Sequence, residues 1–119
     1  MFELLHVAEP STYEQATEAY APASLASEGF VHCCHPNQLM GVLERWFPSS
    51  NELLLLALDE EALSDVTKKE RGPGGQLFPH VYAPIPKSVV LAVNPLSRDK
   101  CNNWIFPRFL TERILPDSA

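Results

Sequence analysis

The sequence lacks the features of a membrane-spanning chain or of a disulfide-linked one. Its longest apolar run covers residues 53–58, far short of the roughly 20 residues that a membrane-spanning helix needs. No basic segment precedes an apolar stretch at the start of the chain, as a secretory signal would require. An odd count of three cysteines, two of them adjacent, makes a poor disulfide framework. We therefore expect a cytoplasmic protein with reduced thiols and no membrane partner.

Positive charge is also scarce. Nine lysines and arginines stand against 15 aspartates and glutamates, for a formal net charge of −6. Binding duplex nucleic acid without regard to its sequence requires basic side chains set against the phosphates. The composition therefore excludes duplex nucleic acid as a partner, while it fixes no oligomeric state.

What is present suits one small α+β domain. The 119 residues are 45% hydrophobic, enough for a two-layer core, and 11 prolines predict short elements joined by extended loops. Strand patterns cover residues 2–8, 30–33, 52–58, 66–70, 77–82 and 88–93. The continuous aliphatic run at 52–58 is typical of a central strand.

The remaining segments predict short helices and turns. Ser11 and Glu14 have the spacing of a capping box that opens a helix toward Tyr20. Residues 23–28 are expected to form a turn, after which Gly29 lets the backbone bend into a strand. A second helix begins at Pro36, another covers about 107–115, and residues 71–75 form a glycine-rich loop that is a candidate lid. An apolar stripe on the second helix is expected to pack on a sheet, namely Leu39, Met40, Leu43, Trp46 and Phe47.

Three histidines, His6, His32 and His80, lie inside apolar, strand-like runs. Alternate side chains of a strand share a face, so His32 lies on the same face as Phe30, and His80 on the same face as Phe78 and Tyr82. A buried imidazole without a hydrogen-bond partner costs about 1–3 kcal/mol, and a small domain would hardly tolerate that cost three times. We interpret the three as the wall of a ligand cleft, with Glu70 beside the glycine-rich loop.

Other interpretations stay open at this stage. Each histidine alone is adequately explained as a core residue that donates to a backbone carbonyl. The neighbours in the sequence HCCH at 32–35 alternate in direction along a strand, so they do not suit a tetrahedral zinc site. His6, His32 and His80 together would suit the open site of a metal hydrolase if their strands were adjacent.

Two segments carry a resemblance to a known family. Residues 25–33 (LASEGFVHC), with Pro36 and Gln38 after them, and residues 77–82 (LFPHVY) resemble the domain-of-unknown-function family 952 (DUF952). The resemblance covers residues 1–96, and residues 97–119 form a C-terminal extension that we expect to pack on the same domain. The chain departs from the family pattern in three places: at Cys34 and His35, at Ala83, and in the segment after Leu96, which lies outside the family's domain.

The resemblance implies a fold similar to ADP-ribosyltransferases, which is a split pair of small, mainly antiparallel sheets with short flanking helices around a cleft for NAD. It also implies that His6 binds the ribose region, that Tyr20 or Phe30 flanks the nicotinamide, and that Glu70 supports transfer.

The leading hypothesis is therefore a protein that binds a nucleotide such as NAD or ADP-ribose and transfers an ADP-ribosyl group. We assign catalytic roles to His6, His32, Glu70 and His80. Substrate-binding roles go to Tyr20, Ser24, Phe30, Arg71, Phe78 and Tyr82. No resident cofactor or metal is predicted, and NAD enters as a candidate substrate. The alternatives are a non-catalytic module that binds a metabolite or a protein, and a metal hydrolase whose ion is held by histidines.

Overall fold

The computed structural model describes residues 3–110, which contain three α-helices and nine β-strands. In chain order these are β1 (Leu4–Ala8), α1 (Pro10–Gln15), β2 (Ala19–Tyr20), α2 (Ala23–Glu28), β3 (Val31–His32), α3 (Leu39–Trp46), β4 (Glu52–Leu58), β5 (Thr67–Arg71), β6 (Leu77–Val81), β7 (Ile85–Pro86), β8 (Val90–Arg98) and β9 (Trp104–Ile105). Four 3-10 turns, at Pro36–Gln38, Ser64–Val66, Pro73–Gly75 and Lys87–Val89, link them. None of the helices in this part of the chain has the length and apolar character needed to cross a membrane.

The strands form three antiparallel sheets. One has four strands in the order β1-β4-β8-β9, one has three in the order β3-β6-β5, and a ribbon joins β2 to β7. The α+β class with small antiparallel sheets and short helices is confirmed. Two sheets were predicted and three are present in the described residues. The third is the ribbon of β2 and β7, which pair over two residues and join neither larger sheet.

β4 is the centre of the four-stranded sheet, as its aliphatic run predicts. Leu56 and Leu58 pack into one apolar core, and Leu53, Leu55 and Ala57 pack into another on the opposite face. Each of these side chains is at most 1% exposed. Since a fully buried leucine contributes about 1.5–3 kcal/mol, this strand is a main source of the stability of the fold.

β1 connects the two larger sheets. Along its length it pairs with β4, while Leu5 exchanges two backbone hydrogen bonds of 2.8 Å with Cys34, just after β3. β1 therefore lies between the four-stranded sheet and the start of the three-stranded one. This position brings His6 of β1 close to His32 of β3.

Predictions about two of the helices are wrong. The first helix begins at Pro10, with Glu9 as its N-cap and without a side-chain cap bond, so Ser11 and Glu14 do not form the expected capping box. It ends at Gln15, and Tyr20 belongs to β2. Trp46 is 60% exposed, because α3 buries Leu39 and Leu43 and turns the tryptophan away from the core.

Other segments differ less from prediction. Residues 23–28 form α2 rather than a turn, and Gly29 ends this helix with a φ of 92°, which only glycine adopts readily. Pro36 opens a 3-10 turn that continues into α3. β8 continues through residue 98 and pairs with β9. The predicted helix at 107–115 falls largely beyond the described residues, although Leu110 is buried in the core.

Candidate functional site

A cavity of about 590 Å³ opens between the two larger sheets. Its wall is built from β1, β3 and β6, with α2 and α3 on either side, and His6, His32 and His80 all line it. The three imidazoles, which are far apart in sequence, therefore meet at one opening. Its size falls within the range of about 300–1,000 Å³ that is usual for small-molecule sites.

The sheet register explains why these histidines meet. His32 and His80 are directly opposite each other in the antiparallel pair of β3 and β6, so their side chains share a face. Their ring centroids are 5.5 Å apart, with the planes nearly perpendicular at 77°. His6 reaches the pair from β1, where its Nδ1 lies 2.5 Å from the backbone oxygen of His32.

His6 is a neutral, fully engaged imidazole. Because a carbonyl oxygen only accepts, the Nδ1–H of His6 donates to His32, and its Nε2 accepts the hydroxyl proton of Tyr20 at 2.8 Å. Burial lowers the pKa of His6 from 6.5 to about 4, and burial also raises the pKa of Tyr20 above its usual value. The pair is therefore uncharged at neutral pH, and neither His6 nitrogen is free to bind a ligand.

His80 belongs to a second hydrogen-bonded group, with Glu70 and Tyr82. The His80 Nδ1 lies 2.7 Å from Glu70 Oε1, and the Tyr82 hydroxyl donates to the same oxygen at 2.6 Å. The hydrogen bond from Tyr82 has the largest effect on Glu70 and that from His80 the next largest, and both lower the pKa of Glu70. The hydrogen bond to Glu70 in turn raises the pKa of Tyr82. Glu70 is thus held as a carboxylate behind the His80 ring.

Phe30 contacts both rings of the histidine pair. Its ring stacks on His80 with centroids 4.0 Å apart, and it meets the edge of His32 at 4.8 Å. The His32 Nε2 in turn lies 3.1 Å from Glu28 Oε2, at the end of α2, and both side chains are about half exposed. Each of the two opposed histidines therefore has its own carboxylate.

Residues of α2 and β5 and the residue after β5 complete the lining of the cavity, namely Ser24, Arg71 and Gly72. Arg71 donates through Nη1 to the Gly75 carbonyl at 2.5 Å. Ser24 donates to the Phe30 carbonyl at 2.9 Å, which ties α2 to the start of β3. Gly72 is required by close packing, since a Cβ there would lie 2.6 Å from the Phe78 ring.

Of the ten residues predicted for the site, the structure places eight in the cavity wall and two behind it. The eight are His6, Tyr20, Ser24, Phe30, His32, Arg71, Phe78 and His80. Glu70 and Tyr82 do not line the cavity and reach it only through their contacts with His80 and Phe30.

Sequence reasoning missed several residues of the wall. Glu28 is one, because it ends α2 while His32 lies in β3, and their contact depends on the bend at Gly29 between the two elements. The apolar side is formed partly by Val42 and Trp46 of α3 and by Phe47 just after it. The sequence analysis placed Trp46 and Phe47 against a sheet. The spacing of four between Val42 and Trp46 was the available signal for a helix face beside the cleft.

The geometry does not support the metal hydrolase hypothesis. Within residues 3–110, no three histidine, cysteine, aspartate or glutamate side chains are arranged to hold a metal ion. His6 has both nitrogens engaged within the protein. Burial raises the pKa of Cys33 well above its usual value and that of Cys34 to about 12, so neither is a ready thiolate ligand.

Comparison with known proteins places this geometry in a family. A family model described as "Protein of unknown function (DUF952)" matches residues 7–93. The crystal structure of protein CC0527 from Caulobacter crescentus is similar, with a TM-score of 0.80 and 25% sequence identity, covering 91% of this chain and 97% of that one. The solution NMR structure of CC0527 gives a TM-score of 0.73 and 27% identity, covering 86% and 90%. No curated protein sequence matches the chain.

Proposed function

We propose that this chain, which belongs to the DUF952 family of proteins of unknown function, binds a nucleotide such as NAD or ADP-ribose in the histidine-lined cavity. One observation carries the proposal: His6, His32 and His80 converge from three strands on a single cavity. Structural histidines that only fill space have no reason to share an opening. Their convergence beside a stacked phenylalanine is typical of a site for a polar, partly aromatic ligand.

The shape and composition of the wall favour a ligand with a flat ring. Apolar side chains from α3, from the residue after it and from β6 line the cavity, namely Val42, Phe47 and Phe78. Phe30 adds an aromatic ring among the histidines. A nicotinamide or adenine ring would bury apolar area here and stack on an aromatic side chain, an arrangement worth about 0.5–1.5 kcal/mol beyond the burial itself.

The charges of the wall position the phosphates. Of the charged side chains that line the cavity, Glu9 and Glu28 are acidic and Arg71 is basic. Lys68 and Lys69, on the same strand as Arg71, are exposed. Although the whole chain carries a net charge of −6, interactions between exposed charges decay over about 8–10 Å at physiological salt. The phosphates of the ligand therefore lie at the Arg71 end.

We further propose that the site transfers an ADP-ribosyl group from NAD. This proposal rests on the resemblance of the sequence motifs, which implies the ADP-ribosyltransferase arrangement of small sheets around a cleft. In such a step the bond between the ribose C1′ and the nicotinamide nitrogen breaks, and nicotinamide leaves with the bonding electron pair. An acceptor oxygen forms the new bond to C1′ and gives its proton to an imidazole. Glu28 lines the cavity and Glu70 does not, so Glu28 is the carboxylate that we place beside that ribose.

A non-catalytic binding module is the second candidate. The observation that favours it is the position of Glu70, which contacts His80 and Tyr82 and is absent from the cavity wall. A carboxylate in that position cannot touch a ribose that is forming positive charge. The cavity would then recognise the nucleotide and leave it intact.

Ligand binding is tested by thermal shift and calorimetry with NAD, ADP-ribose, AMP and nicotinamide. A ligand at 100 times its dissociation constant stabilises the protein by about 2.7 kcal/mol, which raises the melting temperature by several degrees. We expect such a shift with NAD or ADP-ribose, reduced in Arg71→Gln and unchanged in Val93→Thr, which alters an exposed side chain away from the cavity. No shift with any of the four compounds would overturn the proposal.

Turnover separates the two candidates. Release of nicotinamide from NAD in the presence of the protein, measured by chromatography, would establish the transferase. Stable binding of NAD without release, over hours and with small alcohols or protein as acceptors, would establish the binding module.

A further inference from the structure

The protons of the cavity wall have definite positions. The Tyr20 hydroxyl donates a hydrogen bond to His6 Nε2, and the His6 Nδ1–H donates one to the backbone carbonyl of His32. The Ser24 hydroxyl donates a hydrogen bond to the Phe30 carbonyl. Three of the polar groups that line the cavity therefore have no hydrogen left to donate to a ligand.

The same reasoning fixes the tautomer of His80. Its Nδ1 faces Glu70 Oε1 at 2.7 Å, and an ionised carboxylate accepts hydrogen bonds and never donates them. The proton of the neutral ring is therefore on Nδ1, and Nε2 carries a lone pair. Within the described part of the chain, no protein group bonds to this Nε2. It is on the edge of the ring opposite Glu70.

His32 follows the same pattern with its nitrogens exchanged. Its Nε2 faces Glu28 Oε2 at 3.1 Å, so in the neutral ring Nε2 bears the proton and Nδ1 the lone pair. The two opposed rings have centroids 5.5 Å apart. Each ring thus donates a hydrogen bond to a carboxylate through one nitrogen and keeps the other nitrogen as an acceptor.

We propose that His32 and His80 form an acceptor wall that selects a ligand group rich in N–H or O–H, such as a carboxamide or a ribose diol, over a carboxylate. Glu28 and Glu70 are positioning residues, because they fix which imidazole nitrogen faces the ligand, and Tyr82 positions Glu70. The identity of the ligand rests on the proposed function, whereas the tautomers are a property of the free protein.

The wall discriminates because a carboxylate offers only lone pairs. A carboxylate that faces the two acceptor nitrogens in this partly desolvated cavity makes no hydrogen bond with them, and both nitrogens stay unpaired. A carboxamide NH2 or a hydroxyl satisfies them. Sites built to receive a donor commonly reject the analogue that lacks it by large factors, and here we expect NAD to bind about tenfold or more tightly than its nicotinic acid analogue.

The first experiment reads the tautomers without any ligand. In the ¹⁵N-labelled protein under mildly alkaline conditions, long-range ¹H–¹⁵N correlation spectra distinguish a protonated ring nitrogen from one with a lone pair. We expect protonated Nδ1 for His80 and protonated Nε2 for His32. Glu70→Gln, whose amide both donates and accepts, should give a mixture of tautomers at His80, while the exposed control Glu44→Gln should leave the spectrum unchanged. A protonated Nε2 at His80 in the unaltered protein would overturn the inference.

The second experiment compares two ligands that differ at one group. NAD and nicotinic acid adenine dinucleotide are titrated calorimetrically under the same conditions. Tighter binding of NAD that is reduced in Glu70→Gln supports the acceptor wall, and equal or tighter binding of the acid analogue overturns it. If neither dinucleotide binds, the proposed function fails and the ligand preference fails with it. The tautomer result still decides the proton positions in that case.

Discussion

The ring of Phe30 stacks on the ring of His80, with centroids 4.0 Å apart and planes inclined by only 15°. Phe30 comes just before β3 and His80 lies in β6, so the contact joins two parts of the chain that are 50 positions apart. The same phenyl ring meets His32 at 4.8 Å and Tyr82 at 5.4 Å. Phe30 is thus the common neighbour of the aromatic groups on this side of the cavity.

Removal of the Phe30 ring should weaken ligand binding more than folding. We expect Phe30→Ala to lower the free energy of unfolding by about 1–3 kcal/mol, because the side chain is only partly buried. Phe30→Leu keeps most of the volume and should cost less than about 1.5 kcal/mol, yet it loses the stacked ring. Urea unfolding and nucleotide calorimetry on both variants check this. Full affinity in Phe30→Leu would show that stacking does not matter.

The buried His6 makes stability depend on pH in a defined window. Its pKa falls from 6.5 to about 4 on folding, so between these values the unfolded chain binds more protons than the folded one. Stability from this group is fully present above pH 6.5 and is lost as the pH falls toward 4. The loss amounts to about 3 kcal/mol.

Comparison of variants isolates that contribution. Urea unfolding of the unaltered protein between pH 7 and 4 should show a steeper decline than the same series on His6→Gln, which has no group to titrate. His32→Gln, which removes a half-exposed imidazole, should keep the steep component. Parallel pH profiles for the unaltered protein and His6→Gln would contradict the assignment.

The three cysteines should differ sharply in reactivity. Cys33 and Cys34 are buried and Cys101 is exposed. Burial raises the pKa of Cys33 well above its usual value and that of Cys34 to about 12, so neither forms the reactive thiolate. We expect one fast equivalent with a thiol reagent in the native protein, three after denaturation, and no fast reaction in Cys101→Ser. Rapid modification of Cys33 in the native state would show that this part of the cavity is open to reagents.

Local patterns predicted those parts of the fold that depend on neighbours in sequence. The aliphatic run of β4 identified a central strand because burial on both faces leaves no polar positions. Gly29 identified the bend before β3, since its φ of 92° disfavours other residues. The two carboxylates of the histidine pair illustrate the limit. Glu28 reaches His32 only because α2 ends in that bend, and neither periodicity nor propensity contains this geometry.

Non-local register accounts for what the sequence did not predict. The alternation of side chains along a strand predicted that His32 and His80 each share a strand face with aromatic residues. That the two histidines lie directly opposite each other depends on how β3 pairs with β6. A shift of one residue would have turned one ring to the other side of the sheet. Trp46 was assigned to the core on spacing alone. Its exposure follows from α3 lying beside the cavity, which depends on packing across the whole domain.

One NMR titration with NAD or ADP-ribose, with the four histidines as reporters, tests directly whether the cavity binds a nucleotide. His6, His32 and His80 line the cavity, whereas His35 does not and instead donates through Nδ1 to the Glu3 carbonyl at 2.8 Å. The account predicts that the ring signals of His32 and His80 shift most and those of His6 less, while the His35 signals stay in place. Unchanged signals at all three cavity histidines, at ligand concentrations up to the millimolar range, would contradict it.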